Sequence, residues 1–93
     1  MVEEVLREKM LPRPRMPKYL DSHPFTPFTE KQLKEAQKAP RDEFGVTHEN
    51  IIYNEKENKL FCLLDAPSRD AVDRHHKKAG VRCDWIHEVN TTK

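Results

Sequence analysis

Residues 59–80 read KLFCLLDAPSRDAVDRHHKKAG, and the change of pattern inside this stretch decides the fold. Lys59 to Ala66 form a strongly apolar run of strand length. Pro67 and Ser68 interrupt it, and Ser68 is placed to cap a helix whose stripe is Ala71, Val72, His76 and Ala79. Gly80 then stops that helix as a C-terminal cap.

Working outward, VTHENIIYN (46–54) reads as a strand opened by Gly45, and the polar NEKEN (54–58) as the hairpin loop into the apolar run. Downstream, DWIHEV (84–89) reads as a short strand and residues 90–93 as a tail. Upstream, KYLDSH (18–23) is a strand ended by Pro24 and Pro27. Thr29 and Gln32 have the spacing of a capping box, which predicts a helix from Glu30 with Leu33 and Ala36 as its apolar contacts. Pro40 ends or kinks that helix.

The order is strand, helix, strand, strand, helix, strand. It predicts an α+β, ferredoxin-like βαββαβ domain: a four-stranded antiparallel sheet with two helices on one face. The other sheet face needs a partner, and a homodimer through that face is expected. Residues 18–93 form this domain. Residues 1–17 differ: a short helical pattern (Val2, Val5, Leu6) gives way to LPRPRMP, an extended Pro/Arg-rich arm.

The 93 residues suit one small domain with a modest core. Seventeen basic residues nearly cancel sixteen acidic ones, so no broad field attracts nucleic acid or an anionic membrane. The basic cluster Arg74 to Lys78 is too short and local to change that. No apolar run reaches membrane-spanning length, and MVEEVLREKM lacks the apolar centre of a secretory signal. A cytoplasmic protein is expected, with Cys62 and Cys83 as reduced thiols.

Asp21 and His23 share one face of their strand, because residues i and i+2 point the same way. Running the chain through the predicted topology brings His76, at the end of the second helix, to the same end of the sheet. Cys62 lies in the adjoining strand. Asp21, His23, His76 and Cys62 therefore converge from distant parts of the chain. Each has a plainer reading: a solvated aspartate, a histidine favoured by a helix dipole, a small buried hydrophobe. His48 and His87 fall at the opposite end and read as surface or interface residues. His75 reads as a dipole-stabilised histidine, and Trp85 as core or dimer contact. Imidazoles with a carboxylate suit nickel, copper or zinc.

The Asp-x-His of the first strand, the run FCLLDAPSRDAVDRHHKKAG and the closing HEV together resemble a family of small bacterial nickel-binding proteins, long known as a domain of unknown function. The likeness covers roughly residues 16–89 and sets Asp21, His23, Cys62, His76, Gly80, Glu88 and Val89 at family positions. It implies a ferredoxin-like dimer that binds nickel, with His23 and His76 as ligands, Asp21 and Glu88 joining them, and Cys62 open. It implies no enzymatic activity. The chain departs from the pattern in its N-terminal arm, in Pro40, in the doubled histidine His75-His76, and in Val81-Arg82-Cys83, where relatives can carry a further histidine. Cys83 in that histidine's place shifts preference toward zinc or copper(I).

The leading expectation is a nickel buffer, carrier or sensor. The alternative is a small metal-dependent or cofactor-free lyase, hydrolase or isomerase that uses the Asp21–His23 pair and a metal-bound water. A third reading, an interaction module docking through LPRPRMP, explains none of the histidines.

Overall fold

The computed structural model describes residues 16–92. Most of the expected Pro/Arg-rich arm lies outside the described residues. The sheet is built from β1 (Lys18–His23), β2 (Thr47–Asn54), β3 (Lys59–Asp65) and β4 (Trp85–Val89), with helices α1 (Glu30–Lys38) and α2 (Arg69–Lys78). Strand order is β2-β3-β1-β4, and every neighbouring pair is antiparallel. This is the ferredoxin-like α+β arrangement.

The apolar run of β3 lies in the interior of the sheet. Leu60, Cys62 and Leu64 are buried on the helix-covered face, while Phe61, Leu63 and Asp65 alternate onto the other. On β1, Tyr19, Asp21 and His23 share the helix-covered face. The register sets Asp21 directly opposite Cys62 on one side and Ile86 on the other. The core they belong to is completed by Phe25, Leu33, Val46, Ala66, Ala71 and Val72.

Both helices are fixed at their ends by side chains and turns visible in the sequence. Thr29 Oγ1 accepts from the Gln32 amide at 3.2 Å, and Gln32 Oε1 accepts from the Thr29 amide at 2.9 Å. These two bonds close the capping box of α1, which buries Leu33 and ends at Lys38, short of Pro40. Ser68 Oγ accepts from the Ala71 amide at 3.1 Å and starts α2. At the far end Gly80 takes φ +75°, and the Val81 and Gly80 amides return to the carbonyls of His76 and Lys77 at 2.8 and 3.0 Å. That is a Schellman motif, and it holds the last turn of α2, with His76, in place.

One feature of β2 departs from regular pairing. His48 pairs with Leu64 but Asn50 pairs with Leu63, so Glu49 is an extra residue in the ladder. The bulge turns His48 onto the same face as Ile51. His48 is therefore half-buried beneath the helices instead of lying on the open face that regular alternation assigns to it. Glu49 meets the Lys18 ammonium at 2.5 Å.

The open face carries Leu20, Phe61 and Leu63 with the more exposed Ile52 and Trp85. Trp85 lies against His87 and Phe61, with ring centroids 4.9 and 6.3 Å away. Among the described residues no helix is long and apolar enough to cross a membrane.

Ser68 anchors the helix that carries His76, so Ser68→Ala should lower stability by about 1 kcal/mol. Urea unfolding followed by circular dichroism measures this, and an unchanged midpoint would show that the cap contributes nothing.

Candidate metal centre

Asp21, His23, Cys62 and His76 come together between the sheet and α2. One donor atom from each lies within 4.8 Å of all the others, and all four residues are buried. β1 contributes Asp21 and His23, β3 contributes Cys62, and the last turn of α2 contributes His76. Asp21 has no exposed surface, and neither of its carboxylate oxygens has a hydrogen-bond partner. A buried, unpaired carboxylate is costly unless a proton or a cation meets it.

The two imidazoles are already turned for that role. His23 Nδ1 lies 3.0 Å from the Pro24 carbonyl, and His76 Nδ1 lies 2.8 Å from the Val72 carbonyl. A carbonyl only accepts, so each Nδ1 carries the hydrogen and donates it. In the neutral ring each Nε2 is then a lone pair. His76 Nε2 lies 3.3 Å from Asp21 Oδ2, His23 Nε2 lies 3.9 Å from Asp21 Oδ1, and Cys62 Sγ lies 3.8 Å from His23 Nε2. Lone pairs facing a carboxylate repel one another. The arrangement is held together only by a hydrogen or a positive ion between them.

Burial sets the protonation states in the absence of a cation. Desolvation pushes the Asp21 carboxyl up to about 7, and the adjacent Cys62 thiol offsets this only in part. Desolvation also holds His23 below its ordinary value and takes His76 down to about 4. The Cys62 thiol is pushed far up, by burial first and then by the nearby carboxylate. Below about pH 7 the cation-free site is thus nearly neutral, with a proton on Asp21 facing His76.

The donors suit a first-row divalent cation. Metal–nitrogen and metal–oxygen bonds of about 2.1 Å and a metal–sulfur bond of about 2.3 Å place tetrahedral donors roughly 3.4–3.6 Å apart. The three separations above bracket that range. His23 and His76 stand with ring centroids 5.3 Å apart at 69°. Each imidazole is held by a backbone carbonyl, the outer-shell support that metal-binding histidines require.

Other expected ligands stand elsewhere. Glu88 is exposed on β4, opposite Tyr19, and outside the four-residue group. Cys83 is half-buried and also outside it, its thiol pushed up to about 12 mainly by burial. His87 lies with Leu20 on the open face.

Two histidines are more involved than the sequence reading assigns. His75 is not simply a solvated end-of-helix residue, since its Nδ1 meets Asp42 Oδ2 at 2.5 Å. His48, its ring 5.2 Å from that of His75, shares a cavity of about 270 Å³ with His23, Cys62, His75 and His76. The turn holding Asp42 has a readable signal, because an aspartate three residues before a glycine favours capping the local amides. Asp42 Oδ1 accepts from the Phe44 and Val46 amides, each at 2.9 Å. Its reach to α2, and the bulge that turns His48 inward, have no counterpart in local sequence.

The fold and the four-residue group define a ferredoxin-like protein with a buried, cation-ready site. Residues 19–89 match the family described as nickel responsive protein SCO4226-like, and the chain belongs to that family. It is similar to the crystal structure of SCO4226 from Streptomyces coelicolor A3(2), at 30% identity and a TM-score of 0.66. That match covers 82% of this chain and 99% of the other. No curated protein matches the chain.

The raised Asp21 carboxyl gives a signed expectation. Its folded value lies above its unfolded one, so its contribution to stability is full in acid and is lost as pH rises toward and past 7. His76 and His48, both lowered to about 4, act in the opposite sense, losing stability as pH falls from about 6.5. At pH 8 in chelator, Asp21→Asn should therefore melt above wild type, and the gap should shrink toward pH 5. The same substitution should erase any stabilisation by added metal. A lower melting point for Asp21→Asn at pH 8 would contradict this account.

Proposed function

We propose that this chain is a non-catalytic nickel-binding protein, a buffer, carrier or sensor, with Asp21, His23, Cys62 and His76 as ligands. The observation that carries the reading is the Asp21 carboxylate, fully buried, without a hydrogen-bond partner, and faced by two imidazole nitrogens whose other nitrogens are committed to backbone carbonyls. Membership of a family described as nickel responsive supports nickel as the cation. The two-nitrogen, one-oxygen, one-sulfur donor set also accommodates zinc or copper, so discrimination rests on geometry and metal supply.

Asp21 supplies a formal negative charge and Cys62 a second one once its thiol proton leaves. His23 and His76 supply neutral donors already in the required tautomer. Burial excludes water from the inner side of the site and strengthens each of these interactions. A bound divalent cation supplies the positive charge that the buried carboxylate lacks, and it reverses the local preference for protonated Asp21 and Cys62.

The apolar open face of Leu20, Phe61, Leu63, Ile52 and Trp85 supports a homodimer formed through the sheet. We place the protein in the cytoplasm, where two free thiols stay reduced.

Calorimetric titration with nickel at pH 6 in buffers of different ionisation enthalpy should show release of about two protons per ion, from Asp21 and Cys62. At pH 8.5 the release should fall to about one, because Asp21 has already ionised. His23→Ala and His76→Ala should abolish this tight, proton-releasing binding, and Cys62→Ser should weaken it while keeping the protein folded. Wild-type protein with no nickel, zinc or copper affinity tighter than millimolar would refute the function.

A further inference from the structure

The described histidines other than His87 form a chain. His23 and His76 stand 5.3 Å apart, His76 and His75 5.0 Å, and His75 and His48 5.2 Å, by ring centroids. The inner pair belongs to the site already described. The outer pair has a support of its own at His75. His75 Nδ1 faces the Asp42 carboxylate, which is itself fixed by two backbone amides. His75 thus has one nitrogen committed to an oxygen and one nitrogen left over, and the His48 ring stands beside it. Both rings line the same cavity of about 270 Å³.

The spacing of the outer pair is itself informative. A metal–imidazole bond of about 2.0–2.1 Å puts each ring centroid ~3.2 Å from the ion, so two rings at the tetrahedral angle lie ~5.2 Å apart. His48 and His75 stand at that distance, at 61° to each other. The carboxylate–histidine pair Asp42–His75 is the usual outer-shell arrangement of a histidine that binds a metal, since it fixes the tautomer and the ring orientation.

We propose that His48 and His75, the latter oriented by Asp42, form a second transition-metal site in the cavity, distinct from the four-residue centre. With two protein ligands and the remaining positions open to cavity water, this site binds more weakly and exchanges faster than the inner one. The occupant is a divalent cation that favours imidazole nitrogen, such as nickel, copper or zinc. The site stands on its own residues and does not require the inner four to bind metal.

Titrating the full chain with nickel(II) alone, followed by calorimetry and native mass spectrometry, tests the proposal. Wild type should take up two ions per chain, a tight one and then a weaker one. His48→Ala and His75→Ala should each remove the weaker step and leave the tight step unchanged. Asp42→Asn should weaken the second step by about 10–100-fold without affecting the first. In His23→Ala the tight step should vanish while the weaker one persists.

Cobalt(II) separates the sites by colour. The first equivalent should show sulfur-to-cobalt charge transfer from Cys62, and the second only the weaker d–d bands. Where an alanine variant melts below wild type, His48→Gln and His75→Gln carry the same test. Saturation at one ion per chain overturns the proposal. A second ion retained in folded His48→Gln and His75→Gln, or a second step lost together with the first in His23→Ala, overturns it too.

Discussion

An aspartate buried in the middle of a sheet without a hydrogen-bond partner is the constraint on which the structure depends. The register forces it there. Asp21 lies between Cys62 and Ile86 on a central strand, on the face covered by the helices. In the surrounding core Leu60, Leu64 and Val72 have no polar groups to give, and the adjacent Cys62 thiol compensates the carboxylate only in part. A purely structural design would place an apolar residue at this position, since burying an unpaired carboxylate works against folding. Keeping the carboxylate fits the proposed role of Asp21 as a binding group for a cation.

The neighbours of Asp21 are arranged by backbone, not by one another. His23 takes its tautomer from the Pro24 carbonyl, immediately after the strand ends. His76 takes its own from the Val72 carbonyl one turn earlier in α2. Features that look purely structural thereby reach the site. The Ser68 cap starts α2 at one end, and the Schellman turn at Gly80 fixes its last turn at the other. Between them they set where the His76 lone pair points. Moving either end of this short helix rotates His76, because there is too little helix to absorb the change.

How much of this was legible in the sequence depends on the range of the cause. The six elements, both helix caps and the glycine stop follow from local chemistry, and each stands where that chemistry puts it. The convergence of Asp21, His23, Cys62 and His76 followed from strand alternation combined with one topology, so it too could be read before any coordinates. Glu88 was reached only through family resemblance, and it stands exposed on β4 outside the group. His48 was read as a surface or interface residue because it starts β2 at the end of the sheet away from the cluster. The extra residue Glu49 turns it under the helices, where it lines the cavity shared with His23 and His76. The pairing of His75 with Asp42 joins a loop to a helix and leaves no periodic trace in either.

Charge explains why the two proposed cation sites in one small domain should differ in strength. The inner residues provide Asp21 and, after loss of its proton, Cys62, two negative charges that balance a divalent ion within a buried volume. The outer pair provides no anionic ligand. Its one negative charge, on Asp42, acts through the His75 ring and not on the ion itself. The Asp42 side chain is also partly exposed, so solvent screens its charge more than it screens the charge of Asp21. Two divalent ions so close to each other also repel, and the repulsion falls on the site with less compensation. A cation therefore settles first where the charge is balanced and water is excluded, and the half-buried imidazoles nearer the solvent hold the ion that comes and goes.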